Sequence, residues 1–410
     1  MFLLPSAVRI LSLATLLLAT IHTTLTAQNT VLHGVKDYVD NRLMVVDNPN
    51  SVPSGLLVVN KRTAAHTGEN MVHEPADQST FHSSGTPTGP LRETTWRDML
   101  PHTAEGSYYN EFWSYHFFLQ DDLHLHMTFS LANFGNLKSA VSGGKLFVSN
   151  FKGNNYHVAR EYPMEQLIID EEQGLIRLHP ERDIYLQGRL PHSHRVHFST
   201  EKHGVSYEVD LHFSDIYTGH TWGDGIFDVE GDHMGVFIHI PKSRVHGTVS
   251  INRQTIEVEG TAYMDHTFQT DLSSKVVSKA FRYIWHEHDA YRVGYYLIPR
   301  NRSAMPVIGM GLSGNSSESQ LHKPVSVRVE STSRLGGNEI PEQIRIDYAS
   351  GEYYTLGRTR DFQNVSFLEE IGGLRRRLLR GFLGGEIVEY VGTGTIDGLR
   401  PVNYSFQIVH

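Results

Sequence analysis

Runs of residues that alternate apolar and polar with a period of two constrain this chain more than any other feature. Leu123, Leu125, Met127, Phe129 and Leu131 interleave with His124, His126, Thr128 and Ser130, and Tyr207, Val209, Leu211 and Phe213 interleave with Glu208, Asp210 and His212. The pattern returns at Ile256/Val258, Tyr291/Val293/Tyr295/Leu297, Val325/Val327/Val329, Ile344/Ile346/Tyr348 and Val402/Tyr404/Phe406/Ile408. A period of two places one face of a strand in a core and the other outside it. Glycine-rich turns such as Ser142-Gly143-Gly144 and Leu335-Gly336-Gly337-Asn338 punctuate the runs. Short, evenly spaced strands of this kind predict an all-β protein of antiparallel barrels or sandwiches. The 410 residues allow two domains. Two helices are expected, a short one over Leu272–Phe281 and an amphipathic one over Phe367–Phe382.

The chain has no cysteine, which excludes disulfides and thiolate metal sites. A formal net charge of -9 argues against a nucleic-acid partner. No phosphate-cradling glycine loop, nucleotide fingerprint, nucleophile elbow or zinc-protease helix is present, so no cofactor is expected. At the N-terminus Arg9 precedes an uncharged apolar run from Ile10 to Ile21, with Thr26-Ala27 ahead of Gln28. This is the pattern of an export signal over residues 1–27 and predicts a mature protein in the periplasm or outside the cell. Residues 28–105 read as an extension, with a stretch over 66–90 dense in Gly, Pro, Ser and Thr.

The residues best suited to chemistry gather around Gly260-Thr261-Ala262-Tyr263-Met264-Asp265-His266 and Trp285-His286-Glu287-His288. Tyr263 and Asp265 stand two apart and share a face on a strand. In an apolar cavity Asp265 would be pushed toward its neutral form and could act as a proton donor, with Tyr263 and His266 assisting. Parity from Ile256 and Val258 turns Met264, His266 and Phe268 inward and Tyr263 and Asp265 outward; a bulge at Gly260 would reverse this. Twenty-five histidines are roughly two to three times the usual share. The His-x-His pairs at 124/126, 192/194 and 286/288 have no third ligand at a fixed spacing, and His124 and His126 oppose the apolar face, toward solvent. No metal is therefore expected. Trp222, His239, Phe281, Trp285 and Tyr295 are the candidate ligand-binding residues, and Arg375–Arg380 could touch anionic lipid headgroups.

The runs Phe237-Ile238-His239-Ile240-Pro241-Lys242, Val245-His246-Gly247-Thr248-Val249, Gly260–His266 and Ala280–Trp285 resemble a two-domain lipocalin-like superfamily. It contains the bacterial carotenoid 1,2-hydratases, the AttH-like exported lipocalins and the fungal survival-factor proteins of the oxidative-stress response. The resemblance implies two calycin-like β-barrels side by side, over 106–246 and 247–410, with an apolar cavity and few short helices. In the hydratases a Tyr-x-Asp pair faces the substrate tunnel and the carboxyl group donates the proton; Tyr263 and Asp265 match it. Of the His-x-Trp pair one strand earlier, this chain has only His239. In the survival-factor branch the implied role is carriage of a membrane lipid.

Two functions stand from these readings. One is an exported carrier of a hydrophobic small molecule, a lipid or an isoprenoid. The other is a lyase of the hydratase or isomerase type acting on a lipid or isoprenoid double bond through Asp265. A surface-binding module is the third possibility. Expression with the native leader should yield an exported form starting at Gln28, read by N-terminal sequencing; retention of residues 1–27 in exported protein would overturn the export signal.

Overall fold

The computed structural model describes residues 86–102, 109–133, 139–229, 232–270, 277–299, 307–335, 338–366 and 387–409. Strands dominate, and the first sheet begins with β1 (Leu91–Glu93), β2 (Tyr109–Leu119), β3 (His124–Asn133), β4 (Val141–Phe151) and β5 (Asn154–Pro163). It continues with β6 (Ile168–Asp170), β7 (Leu175–Arg177), β8 (Ile184–Gln187), β9 (His194–Lys202) and β10 (Val205–Ser214). It ends with β11 (His220–Trp222), β12 (Ile226–Val229), β13 (Asp232–Ile251) and β14 (Gln254–Thr270). The main path runs β5-β4-β3-β2-β14-β13-β10-β9-β8-β7-β6, and every pairing is antiparallel.

This sheet curls until its flanks meet. Arg160 on β5 donates to the Thr200 hydroxyl on β9 at 2.8 Å, and the Tyr207 hydroxyl on β10 donates to the His157 carbonyl at 3.4 Å. Side chains rather than a ladder close the half-barrel.

The second sheet holds β15 (Val277–Glu287), β16 (Ala290–Pro299), β17 (Ile308–Gly314), β18 (Ser319–His322) and β19 (Pro324–Leu335). The remaining strands are β20 (Asn338–Tyr348), β21 (Tyr353–Ser366), β22 (Ile387–Ile396) and β23 (Arg400–Val409). Their order is β18-β17-β16-β15-β23-β22-β21-β20-β19. The protein is thus all-β, two curled antiparallel half-barrels packed together, as the alternation requires.

Alternation along the strands divides the interior into three cores. Trp113, Tyr115, Phe117, Met127, Phe129, Met264 and Phe268 fill the first barrel. Phe281, Tyr283, Tyr296, Tyr348, Tyr404 and Phe406 fill the second. The third core lies between the sheets and joins Tyr263, Val236 and Ile238 of the first to Ile284, Tyr291, Val293, Tyr295 and Met310 of the second.

Four expectations need correction. The passage from first to second barrel falls between Thr270 and Val277, not at 246/247, because the β13–β14 hairpin lays β14 along β2 in the first sheet. The expected helix over 272–281 enters β15 from Val277 onward, since Phe281 and Tyr283 alternate into the second barrel between β16 and β23. The segment before 105 is not all extension: β1 pairs with β11, and the short helix α1 (Trp96–Met99) seats Met99 in the first core. Its turn is fixed by a capping box in which Asp98 accepts from the Thr95 amide at 2.7 Å. Finally, Gly260 does not reverse the phase of β14; the register against β2 is unbroken from Gly260 to Thr270. The bulges lie instead on the β13 side, between Ile238 and Ser243. The predicted helix over 367–382 and the cluster Arg375–Arg380 lie outside the described residues, as does the leader. Among the described residues no helix is long and apolar enough to cross a membrane.

Gly260 has a steric role: a Cβ there would run into the carbonyl of Phe118 across the ladder. Gly260→Ala should therefore cost about 1–3 kcal/mol of stability, measured by urea unfolding; an unchanged midpoint would show that β2 and β14 can separate without loss.

Candidate site in the seam between the barrels

A sheet's outer face normally meets water, and here much of it meets the other sheet. On β2, β3, β4 and β14 the outward positions are polar in the region of contact. Ser114, His116, His126, Thr128, Ser130, Lys145, Tyr263, Asp265 and Thr267 are all buried. In register, Tyr263 stands beside His116, which stands beside His126; Asp265 stands beside Ser114, which stands beside Thr128. The outward residues of the second sheet complete the seam: Arg282 on β15, Tyr295 on β16, Glu389 on β22 and Ser405 on β23.

Two ion pairs cross it. Arg282 donates Nε to Asp265 Oδ2 at 2.5 Å and a terminal N–H to Oδ1 at 3.0 Å, and it reaches Ser114 Oγ at 3.3 Å. Its guanidinium lies over the Tyr295 ring, 4.6 Å from the centroid. Burial opposes this cation, but Asp265 offsets the burial and raises the Arg282 pKa above its ordinary value. The second pair is Lys145 Nζ to Glu389 Oε2 at 2.6 Å, with His126 Nδ1 3.1 Å from Oε1. Burial alone would raise the Glu389 pKa; Lys145 and His126 together hold it below the usual carboxylate range.

Between the pairs sit His116 and Tyr263. His116 stacks on His126 with ring centroids 4.2 Å apart, and its centroid is 6.2 Å from that of Tyr263. Burial first, then the neighbouring cations and imidazoles, push the His116 pKa well down, so the ring is neutral. Burial and the nearby Asp265 carboxylate push the Tyr263 phenol well up. The Tyr263 hydroxyl lies beside Asp265 without a well-formed hydrogen bond, and His116 Nε2 has no partner. Nor have the Asn110 amide atoms, Ser130 Oγ or Ser405 Oγ.

The residues singled out from sequence do not all meet. Tyr263, Asp265 and Tyr295 converge on Arg282. Both oxygens of Asp265 are engaged by the Arg282 guanidinium, a partner that the desolvation argument could not see. His266 faces the first barrel, where its Nδ1 lies 2.7 Å from the Asp98 carbonyl oxygen. His239 Nε2 is 3.2 Å from the same oxygen. Trp222 packs in the apolar part of the inter-sheet core, Phe281 in the second barrel, and Trp285 at that barrel's margin.

The His-x-His pairs also disperse. His124 and His126 are buried against the second sheet rather than solvent-facing. His194 bonds the Tyr115 hydroxyl at 2.8 Å while His192 is exposed. His286 lies 2.8 Å from the Pro241 carbonyl, and His288 sits exposed in a turn at φ 42°. Sequence reasoning missed Arg282, His116, Lys145 and Glu389. The polar alternation of β2 and β3 was the available signal, but it reads as solvent exposure until a second sheet covers it.

No family model and no characterised protein sequence matches the chain. Solved structures do match in fold. An AttH-like protein of Nitrosomonas europaea is similar over 79% of this chain and 99% of its own, at 13% identity and TM-score 0.55. CghA in complex with Sch210972 is similar over 80% of this chain and 96% of its own, at 10% identity and TM-score 0.51. Kievitone hydratase of Nectria haematococca aligns over 73% of this chain and 88% of its own, at 9% identity and TM-score 0.42. The likeness is one of fold, two curled antiparallel half-barrels packed together, the arrangement that the resemblance of the sequence motifs implied.

His116, His124, His126, His194 and His239 are all buried, and burial is the first cause of the lowered pKa of each. Their folded-state pKa values lie below the unfolded value of 6.5, so the unfolded chain binds more protons once the pH drops below 6.5. The stability that these groups contribute should therefore be full above pH 6.5 and fall through pH 5, with an uptake of up to about five protons by these five rings on unfolding. Urea midpoints measured across this range test it; a flat profile from pH 7 to 5 would contradict neutral buried imidazoles.

Proposed function

We propose that the protein binds a hydrophobic small molecule, a lipid or an isoprenoid, whose polar group is received in the seam between the barrels. One observation carries the reading: five residues with unpartnered buried polar atoms, Asn110, His116, Ser130, Tyr263 and Ser405, lie on the two faces that meet there. Each such group costs about 1–3 kcal/mol when left unmatched. Five together approach the whole net stability of an ordinary domain, about 5–15 kcal/mol, so the fold retains them for something that satisfies them. The apolar inter-sheet core beside them, with Trp222, Tyr291 and Met310, suits the ligand's hydrocarbon part. The fold shared with CghA, solved with a small molecule, supports the same reading. Export, read from the leader-like run, and contact with a membrane surface through Arg375–Arg380 belong to this proposal.

A second reading, a hydratase-type enzyme, is favoured by the juxtaposition of neutral His116 with the Tyr263 phenol. His116 Nε2 would take a proton from water as its oxygen adds to one carbon of a polarised double bond. Tyr263 and Arg282 would hold the developing negative oxygen, and the proton would return to the second carbon. Asp265 is then a positioning residue for Arg282 rather than the acid.

Organic extraction of purified protein followed by mass spectrometry should show a co-purifying lipid or isoprenoid. Tyr263→Phe should retain urea stability and lose about tenfold in affinity for that molecule, the weight of one hydrogen bond of about 1.4 kcal/mol. An empty extract, or equal retention by the variant, would remove the binding reading. Conversion of the ligand to a species heavier by one water, abolished in His116→Gln, would select the enzyme.

A further inference from the structure

On the opposite face of β2 and β14, at the end of the first barrel, a separate cluster is unused by the proposed function. Glu111 is wholly buried, and its Oε1 lies 2.7 Å from His266 Nε2 and 3.4 Å from His102 Nδ1. The His102 main-chain N–H donates to the same oxygen at 2.9 Å. The three ligating atoms lie within 4.8 Å of one another. We infer that His102, Glu111 and His266 form a site for a divalent transition-metal ion of the zinc type.

Three observations carry it. The first is charge. Among the described residues no lysine or arginine pairs with Glu111; its partners are two imidazoles, a main-chain amide and the Tyr109 hydroxyl. A buried carboxylate without a cation is strongly disfavoured, so positive charge belongs beside it. The second is orientation. His266 Nδ1 faces the Asp98 carbonyl at 2.7 Å, and the Tyr109 hydroxyl donates to Glu111 Oε2. With Nδ1 held at the Asp98 carbonyl, Nε2 is left facing the Glu111 carboxylate at 2.7 Å, and it is the nitrogen that a metal ion beside that carboxylate would take. Metal-holding histidines and carboxylates are oriented in this way by carbonyls and hydroxyls behind them.

The third observation is the pre-set ring of His102. It lies stacked between Phe237 and Phe268, with centroids at 5.3 and 4.7 Å, and its side chain is 12% exposed. A ring held edge-on to a carboxylate at the barrel's end is reachable from solvent, as loading requires.

Two histidines and a carboxylate are a zinc donor set that leaves a fourth position open. Ligand bonds of about 2.0–2.1 Å in tetrahedral array set donor atoms about 3.4 Å apart. His102 and Glu111 already meet that spacing, and His266 needs to withdraw by about 0.7 Å. The fourth position would take water or an oxygen or nitrogen of a small ligand entering at the barrel's end.

The test uses the purified full chain after chelator treatment, titrated separately with Zn(II) and Co(II). One equivalent should bind, the cobalt form should show the intense visible absorption of a four-coordinate ion, and thermal stability should rise with metal. His102→Ala should bind at least tenfold more weakly and lose the four-coordinate absorption; Glu111→Gln should abolish both. His102 is the partly exposed ligand, so its variant decides the matter even if Glu111→Gln fails to fold. Absence of stoichiometric binding would overturn the site. So would affinity and spectrum unchanged in folded His102→Ala, which would assign the metal to other histidines. Since the cluster and the seam lie on opposite faces of one sheet, failure here leaves the ligand reading of the seam intact, and the reverse.

Discussion

The buried pair of Asp265 and Arg282 fixes how the two barrels sit on each other. It is bidentate, it joins β14 to β15, and both partners are buried. Coulomb attraction between such groups is strong in a low-dielectric interior, but desolvation opposes it, so the pair adds little net stability over an apolar contact. Its value is specificity. Removing either partner would leave a lone charge in the seam, so the second sheet has one angle and register in which Arg282 reaches Asp265. The Lys145–Glu389 pair does the same farther along the seam. Together they fix the sheets where His116, Tyr263 and Ser405 face one another.

The strand β14 joins two environments through simple alternation. Its even residues, Met264, His266 and Phe268, enter the first barrel, and its odd residues, Tyr263, Asp265 and Thr267, enter the seam. One seven-residue motif therefore feeds two unconnected polar sites. A motif that looks like a single catalytic group in one dimension is divided by the geometry of a strand, because neighbouring side chains leave on opposite faces. The same division separates His266, with Glu111 and His102, from Tyr263, with His116 and Arg282.

The excess of histidine also acquires a physical account. Several of these rings are neutral, buried aromatics that stack on one another and on phenol rings, as His116 does on His126 and His194 on Tyr115. Imidazole suits a seam that is buried yet polar: it is flat enough to pack and needs no counter-charge when neutral. A lysine or glutamate in the same place needs a partner, and Lys145 and Glu389 have each other.

The sequence by itself determined most of the strands, their antiparallel character and the inward faces of β3, β10 and β14, because a period of two records which side of a strand is apolar. It also determined that Tyr263 and Asp265 share a face and that His266 does not, since Met264 and Phe268 define the core side. Tertiary structure decided what covers the outward face. His124, His126 and Asp265 carry the pattern of solvent-facing residues, and only the docking of a sheet assembled more than a hundred residues downstream of β3 turns that face into an interior. Which cation meets Asp265, and that the His266 imidazole meets Glu111, depend on contacts across 17 and 155 residues of chain respectively. No local period or spacing encodes contacts of that kind; they arise from how two curved sheets fit together.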